Sequence, residues 1–128
     1  MSKLEESGTD LVIKFLEATG TYDHSQVSKL INNNAIFCLF GEVIKGIESI
    51  EKHHQSVWNT LKDLKFWATD IETIHYDDEC RIYTYQAHYS GYDKGNYFEG
   101  NARTTDVFVK NSITKQWELL HTHSSAAN

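Results

Sequence analysis

The carboxy-terminal half of the chain consists of long segments of strand-forming residues, and this feature limits the possible folds most strongly. From Phe66 onward, three segments rich in aromatic and β-branched residues are separated by the sequences YDDE and GYDKGN, and a fourth begins near Gln116. Asp77-Asp78 and Lys94-Gly95-Asn96 are typical of hairpin turns. The sequence therefore predicts a meander of long strands in this half.

The amino-terminal half shows helical periodicity instead. A first helix is predicted from about Thr9 to Thr19, because apolar residues recur on one face, namely Leu11, Val12, Phe15 and Leu16. Asp23 followed by Gln26 resembles a capping box, which predicts a second, shorter helix that ends before Asn32–Asn34. The predicted buried side of this second helix is Val27, Leu30 and Ile31.

A short strand pair and a third helix complete this half. Residues 35–40, AIFCLF, predict a strand, Gly41 allows a tight reversal, and Val43–Lys45 predicts the return strand. The third helix has the clearest pattern, with one face made of Ile47, Ile50, His54, Val57, Trp58 and Leu61. His54 is therefore expected to point inward and His53 elsewhere. Helices followed by strands predict an α+β fold with helices on one face of an antiparallel sheet.

Size and composition predict one globular domain over residues 1–128, since the chain is 40% hydrophobic and 23% charged. Its net charge of −6 argues against sequence-independent nucleic-acid binding, which depends on neutralising phosphates. No apolar run approaches the ~20 residues of a membrane-spanning helix, and the start MSKLEESGTD lacks a signal-peptide core. We therefore expect a cytoplasmic protein with no membrane partner. Cys38 and Cys80 form neither a disulfide framework nor a zinc-binding pattern.

The alternation of side chains along strands gives two sets of candidate site residues. On the second long strand, one face carries Arg81, Tyr83, Tyr85, Ala87 and Tyr89. This tyrosine row is consistent with a ligand pocket, and equally with an aromatic face between subunits. On the third long strand, Asp106 shares its face with small or apolar residues, so covering helices would disfavour its ionised form and suit it to acid–base chemistry. The alternative is an Asp106 that pairs with Arg103 or Arg81 or is exposed at a strand end.

His121 and His123 lie two residues apart in WELLHTHSSA and share a face with Trp117 and Leu119 if no bulge intervenes. Such a pair is compatible with two metal ligands. A metal would also need distant ligands, such as His54 or Asp106, and nothing in the sequence fixes their distance. We therefore expect neutral histidines that line a pocket or core, with no metal and no cofactor.

Two stretches resemble a known family. KGIESIEKHHQSVW and RTTDVFVKNSITKQWELLHTHSS are similar to SnoaL-like members of the nuclear transport factor two-like superfamily, and within it to the association domain of calcium/calmodulin-dependent protein kinase II. The resemblance covers about residues 7–125. It implies a cystatin-like cone, in which a curved, mostly antiparallel sheet wraps around three helices and a pocket opens between them. It also implies a homodimer that pairs through the outer sheet face.

The resemblance also suggests pocket residues and a difference from the kinase domain. Trp58 matches a helix position that contributes to the pocket of that domain. Tyr85, Asp106 and Ser124 match positions at which it places pocket arginines. Because those arginines are missing here, a carboxylate ligand loses its partners. An aspartate in their place suits a neutral, cationic or proton-exchanging ligand.

The combined hypothesis is a small-molecule-binding protein, extended to an acid–base enzyme of the isomerase, cyclase or dehydratase type that acts on a small cyclic or ketone substrate. The catalytic candidates are Asp106 and His121. The ligand-binding candidates are His54, Trp58, Tyr83, Tyr85, His123 and Ser124. The alternative is a non-catalytic association module whose pocket is vestigial or regulatory. Fold alone does not choose between them.

Overall fold

Six strands and three helices make up the computed structural model, which describes residues 3–127 and the side chains of residues 10–127. The helices are α1 (Lys3–Thr19), α2 (His24–Ser28) and α3 (Ile47–Thr60). The strands are β1 (Ile31–Leu39), β2 (Glu42–Lys45), β3 (Leu61–Tyr76), β4 (Cys80–Asp93), β5 (Asn96–Lys110) and β6 (Trp117–Ala126). They form one sheet in the order β2-β1-β6-β5-β4-β3, in which only the β1–β6 pair is parallel. The predicted α+β class is confirmed.

The first two helices differ from the prediction at their ends. Helix α1 begins at Lys3, six residues before the predicted start at Thr9. The Asp23 carboxylate caps α2 by accepting a hydrogen bond from the Ser25 amide, at 3.0 Å. Helix α2 ends at Ser28, however, and Ile31 already belongs to β1. The prediction that placed Ile31 in this helix is wrong, because pairing of β1 with β6 overrides the local helical pattern.

The strand pair lies close to its predicted position, but β1 begins at Ile31, four residues before the predicted start at residue 35. The prediction that placed Leu61 on the inward face of the third helix is wrong, because Leu61 pairs with β4 as the first residue of β3. Gly41, with φ of 87°, makes the reversal between β1 and β2, a conformation that glycine adopts without steric cost. Helix α3 buries Ile50, His54 and Trp58 on one face, as its periodicity predicts. In residues 3–127, no helix is long and apolar enough to cross a membrane.

Irregularities in the long strands bend the sheet. Strand β3 shifts its pairing register with β4 at three places, and Asp63 and Asp70 in this strand have positive φ. Extra residues of this kind bend a strand and increase its twist. The bent sheet wraps around the helices and forms the predicted cystatin-like cone, with the helices on its concave face.

A bulge in β6 decides which of its residues face the helices. Phe108 of β5 pairs with Leu119, whereas the adjacent Val107 pairs with His121, so Leu120 is an extra residue. Before the bulge Leu119 faces inward and is fully buried. After it, Thr122 faces inward and is 5% exposed, whereas His121 faces the outer side. The predicted face shared by Leu119 and His121 is therefore wrong, because the bulge exchanges the two sides.

The core fills the space between α1, α3 and the concave sheet face. Its fully buried apolar side chains include Val12, Phe37, Ile50 and Leu119. Phe15 and Phe37 meet edge to face, with ring centroids 6.1 Å apart, so α1 packs directly on β1. Ile50 of α3 is buried in the same core, so both helices pack on the concave face.

We expect Ile50→Ala to lower the free energy of unfolding by about 2–5 kcal/mol, because it removes a fully buried side chain and leaves a cavity. Chemical denaturation measures this change. The control is Ile113→Ala, since Ile113 is 89% exposed and its truncation should change stability by less than about 0.5 kcal/mol. Equal losses in the two variants would contradict the packing of α3 described above.

Candidate functional site

A cavity of about 400 Å³ lies between α1, α3 and the concave face of the sheet. Most of its lining is apolar, including Phe15, Leu16, Phe37, Val57, Phe66 and Ala102. Phe40, which is 55% exposed, and the exposed Glu42 also line it, so they mark its mouth. The cavity is therefore a part of the concave face that α1 and α3 leave unfilled.

Three side chains from neighbouring strands form a hydrogen-bonded network at the cavity floor. The Tyr85 hydroxyl on β4 donates to Asp106 Oδ2 on β5, at 2.7 Å. The Thr122 hydroxyl on β6 donates to Asp106 Oδ1, at 2.6 Å. Tyr85 and Thr122 line the cavity, whereas Asp106 is fully buried behind them. Both carboxylate oxygens are therefore occupied by hydroxyl donors.

Burial controls the protonation of Asp106. Removal of the carboxylate from water raises the pKa of Asp106 to about 6, and the hydrogen bonds from Thr122 and Tyr85 act in the opposite direction. The same burial, together with the neighbouring Asp106 carboxylate, raises the pKa of Tyr85 well above its usual value of 10. At neutral pH the network therefore consists of a carboxylate and two neutral hydroxyls.

A second pair of hydroxyls lies next to this network. The hydroxyl oxygens of Thr104 on β5 and Ser124 on β6 are 2.9 Å apart, and both residues line the cavity. They occupy the next inward positions after Asp106 and Thr122 in the paired strands. The polar groups of the floor thus form one band across β4, β5 and β6.

Helix α3 contributes two histidines to the opposite wall. His54 is 8% exposed, and its ring stacks on Trp58 with centroids 5.4 Å apart. Burial, followed by repulsion from His53 and His24, lowers the pKa of His54 to about 4. Burial also lowers the pKa of His53, while Glu42 raises it. The Nδ1 atom of His54 is buried and has no hydrogen-bond partner among residues 10–127.

The structure brings some of the predicted site residues together at the cavity. His54, Tyr85 and Ser124 line it, and Asp106 lies directly behind it. The alternative pairing of Asp106 with Arg81 or Arg103 is absent among the described side chains. The Arg81 guanidinium lies instead between the rings of Tyr76 and Trp117, at 4.2 and 4.0 Å from their centroids.

Trp58 and Tyr83 were predicted to bind a ligand, but neither lines the cavity. The Trp58 indole N–H donates to the Thr19 carbonyl, at 3.0 Å, so this side chain ties α3 to α1 behind His54. Tyr83 is fully buried, and its ring packs against Phe108. The lining of the cavity on β4 begins at Tyr85, so the cavity does not extend to Tyr83.

His121 and His123 are also absent from the cavity. Because of the bulge at Leu120, they project from the outer face of β6, and Thr122 and Ser124 take the inward positions. The prediction that placed both histidines in a pocket or core is therefore wrong. Within the described residues, no group of three His, Cys, Asp or Glu side chains is arranged to hold a metal ion.

Sequence reasoning missed several polar lining residues, among them Glu42, His53, Thr104 and Thr122. Thr122 could not be found, because the bulge that turns it inward has no marker in WELLHTHSSA. His53 was expected to point away from His54. Adjacent side chains on a helix are separated by a rotation of only about 100° around the helix axis, however, and both His53 and His54 line the cavity.

The fold is the cystatin-like α+β fold, which solved nuclear transport factor 2-like proteins share. The family model of the SnoaL-like domain matches residues 9–128, and the chain belongs to this family. A comparison with curated proteins gives no significant match. The match to the family model confirms the resemblance that was inferred from the two sequence stretches.

Three solved structures share this fold at low identity. A nuclear transport factor 2-like superfamily protein from Salmonella enterica serovar Typhimurium has a TM-score of 0.87 and 14% identity, covering 98% of this chain and 92% of that one. A proposed dehydratase from Streptomyces avermitilis has a TM-score of 0.83 and 17% identity, covering 98% of this chain and 96% of that one. The association domain of C. elegans calcium/calmodulin-dependent protein kinase II has a TM-score of 0.77 and 16% identity, covering 97% of this chain and 98% of that one.

We expect Asp106→Asn to remove a pH dependence of stability. Because the pKa of Asp106 is about 6 in the folded chain and 3.8 ordinarily, the folded state binds the proton more tightly. Wild-type stability relative to the variant should therefore fall by about 3 kcal/mol in all as the pH rises from about 3 to about 7, with the steepest loss between about 4 and 6. Denaturation of both proteins across this range measures the difference, in which the contribution of His54 cancels.

Asp77→Asn is the control of opposite sign. A hydrogen bond from His75, followed by those from the Glu79 and Cys80 amides, lowers the pKa of Asp77 to about 2. Its contribution to stability should therefore be lost as the pH falls from about 4 to about 2. A flat difference curve for Asp106→Asn between pH 4 and 6 would contradict the buried network.

Proposed function

We propose that this SnoaL-like protein binds a small, largely apolar organic molecule in the cavity between α1, α3 and the sheet. The observation that carries the proposal is an apolar cavity of about 400 Å³ with a band of polar groups on one wall. Ligand sites in proteins have this size and this combination of apolar walls and few oriented polar groups. A ring compound with one polar substituent fits both features.

Binding is favoured over acid–base catalysis by the groups that line the cavity. A general acid or base works best when its pKa is near the working pH. The pKa of His54 is lowered to about 4 and that of Tyr85 is raised well above 10, so neither is tuned for proton transfer near pH 7. Asp106 has a pKa of about 6, but it is fully buried.

The second candidate function, which we rank below simple binding, is therefore catalysis of an isomerase, cyclase or dehydratase reaction on a cyclic ketone. A proton could reach Asp106 only through the hydroxyl of Tyr85 or Thr122, because these groups separate the carboxylate from the cavity. The likeness to a proposed dehydratase supports this form. His121 has no part in it, since it projects from the outer face.

Three further expectations from the sequence remain proposals. The chain is a single domain over residues 1–128, of which residues 1, 2 and 128 lie outside the described part. It acts in the cytoplasm. It needs no cofactor.

Ala87→Phe should abolish ligand binding while the protein stays folded. Ala87 lines the cavity, and a phenyl ring at this position fills the space that a ligand would occupy. Native mass spectrometry of the purified protein and a thermal-shift panel of neutral ring compounds measure binding. A ligand at 100-fold its Kd should raise the wild-type Tm by on the order of 10 °C and leave the variant unchanged.

The matched control is Ile74→Phe, because Ile74 is 61% exposed and does not line the cavity. It should keep the full ligand response. An equal response in wild type and Ala87→Phe would place the ligand outside the cavity. No response to any compound would favour the association module.

We also propose that two copies of the chain pair through the outer sheet face. Trp67 on β3 is 45% exposed on this face, and its ring stacks on His88 of β4 with centroids 5.4 Å apart. Ile36 on β1 adds an exposed apolar side chain to the same face. The likeness to a kinase association domain supports assembly. Exposed aromatic residues are enriched at such interfaces.

Trp67→Glu should convert a dimer into a monomer, because it replaces the exposed indole of this surface by a charge. Size-exclusion chromatography with light scattering should show the apparent mass fall by half. Ile113→Glu is the control: Ile113 is 89% exposed in the loop between β5 and β6, and its substitution should leave the mass unchanged. A monomeric wild type would refute the dimer.

A further inference from the structure

The two hydroxyl groups on the cavity floor have their protons committed to a buried carboxylate. An ionised carboxylate only accepts hydrogen bonds. The hydroxyls of Tyr85 and Thr122, at 2.7 and 2.6 Å from the two oxygens of Asp106, must therefore both donate to it. Because Asp106 is fully buried, no ligand can compete for those oxygens.

This arrangement fixes what the floor offers to a ligand. Tyr85 and Thr122 both line the cavity, and with their protons directed at Asp106 only their oxygen lone pairs remain for a ligand. A ligand group that donates a hydrogen bond can satisfy them. A carbonyl oxygen at the same place would face two acceptors and lose its hydrogen bonds to water without replacement.

The other polar groups of the lining do not reverse this preference. Thr104 and Ser124 share one hydrogen bond, so one of their protons stays free and this pair serves either kind of ligand. Neutral His53 and His54 each have one donor and one acceptor nitrogen, and the Tyr89 hydroxyl can donate or accept, so these lining groups also serve either kind of ligand. Glu42 at the mouth is a further acceptor.

The charge of the cavity acts in the same direction. Among the described side chains that line it, none is Lys or Arg, while Glu42 lines its mouth and Asp106 lies behind its floor. With a pKa of about 6, Asp106 is ionised at pH 8. A ligand carboxylate would therefore meet negative charge without a cationic partner.

We propose that the cavity selects compact apolar molecules that carry a hydrogen-bond donor, such as a ring alcohol, phenol or primary amine, over the corresponding ketone or carboxylate. This inference rests on the proposed function, since it specifies the ligand class of the same cavity. It favours the binding form of that proposal over the reaction on a cyclic ketone, because a ketone is the disfavoured ligand of this cavity.

Isosteric probes at pH 8 test this selection. Calorimetric or fluorescence titration with 1-indanol, 1-aminoindane and 1-indanone compares two donors with an acceptor of the same size. Wild type should bind the alcohol and the amine roughly 10-fold or more tightly than the ketone, which is about one net hydrogen bond.

Asp106→Asn should weaken the preference for the alcohol over the ketone several-fold. The asparagine side chain has the same shape, but its amide group donates to one of the two hydroxyls. That hydroxyl then accepts, and its own proton becomes available to a ligand in the cavity. Whichever way the amide is oriented, one of Tyr85 and Thr122 becomes a donor, so the ketone should gain relative to the alcohol.

Tyr85→Phe supplies a second test that keeps the carboxylate. It removes one of the two committed oxygens, so the preference for the alcohol should shrink several-fold toward equality. Thermal unfolding of each variant before titration establishes that it is folded.

The outcomes separate the two proposals. Equal affinities of alcohol and ketone for wild type, or an unchanged preference in Asp106→Asn, would overturn the donor selection and leave the binding site intact. Absence of binding by all three probes, with Ala87→Phe indistinguishable from wild type, would overturn the proposed function and the donor selection together.

Discussion

The curvature of the sheet is the constraint on which the rest of the structure depends. A flat sheet of these six strands would meet α1 and α3 along one line and leave its long strands uncovered. The irregular pairing of β3, where Asp63 and Asp70 take positive φ, bends the sheet around the helices. Curvature encloses apolar side chains on the concave face, and the helices fill only part of the enclosed volume. The remaining space is the cavity.

Within that cavity, one buried charge organises the polar groups. Asp106 cannot reach water, so its carboxylate depends on Tyr85 and Thr122 for hydrogen bonds, and these two hydroxyls are held by it in turn. Three strands contribute one residue each. A network assembled in this way is sensitive to strand register, because a shift of one residue would replace each member by its outward neighbour. The same network sets the ligand chemistry inferred above.

The histidines show how burial separates residues of the same type. His54 is buried beside Trp58 and two other imidazoles, and its pKa falls to about 4, so it remains neutral where an exposed histidine would begin to ionise. His121 and His123, which drew attention in the sequence, lie on the outer face. The role of a histidine in this chain therefore depends on where its side chain lies in the fold and cannot be assigned from the residue type alone.

The sequence by itself determined the order of elements, the inward face of α3 and which residues of β4 and of β5 share a face. These follow from short-range periodicity. Ile50, His54 and Trp58 recur at helical spacing. Tyr83 and Tyr85 are two residues apart on one unbroken strand, and Asp106 follows the same alternation on its own strand.

Only the tertiary structure decided the inward set of β6 and the depth of the cavity. The bulge at Leu120 satisfies pairing with β1 and β5 at once, and it exchanges His121 for Thr122. Likewise, Tyr83 and Tyr85 share a face, but Tyr85 lines the cavity whereas Tyr83 packs against the ring of Phe108. This difference depends on the positions of Phe108 and Leu119, which are distant in sequence. Such choices arise from contacts between elements, which local patterns do not encode.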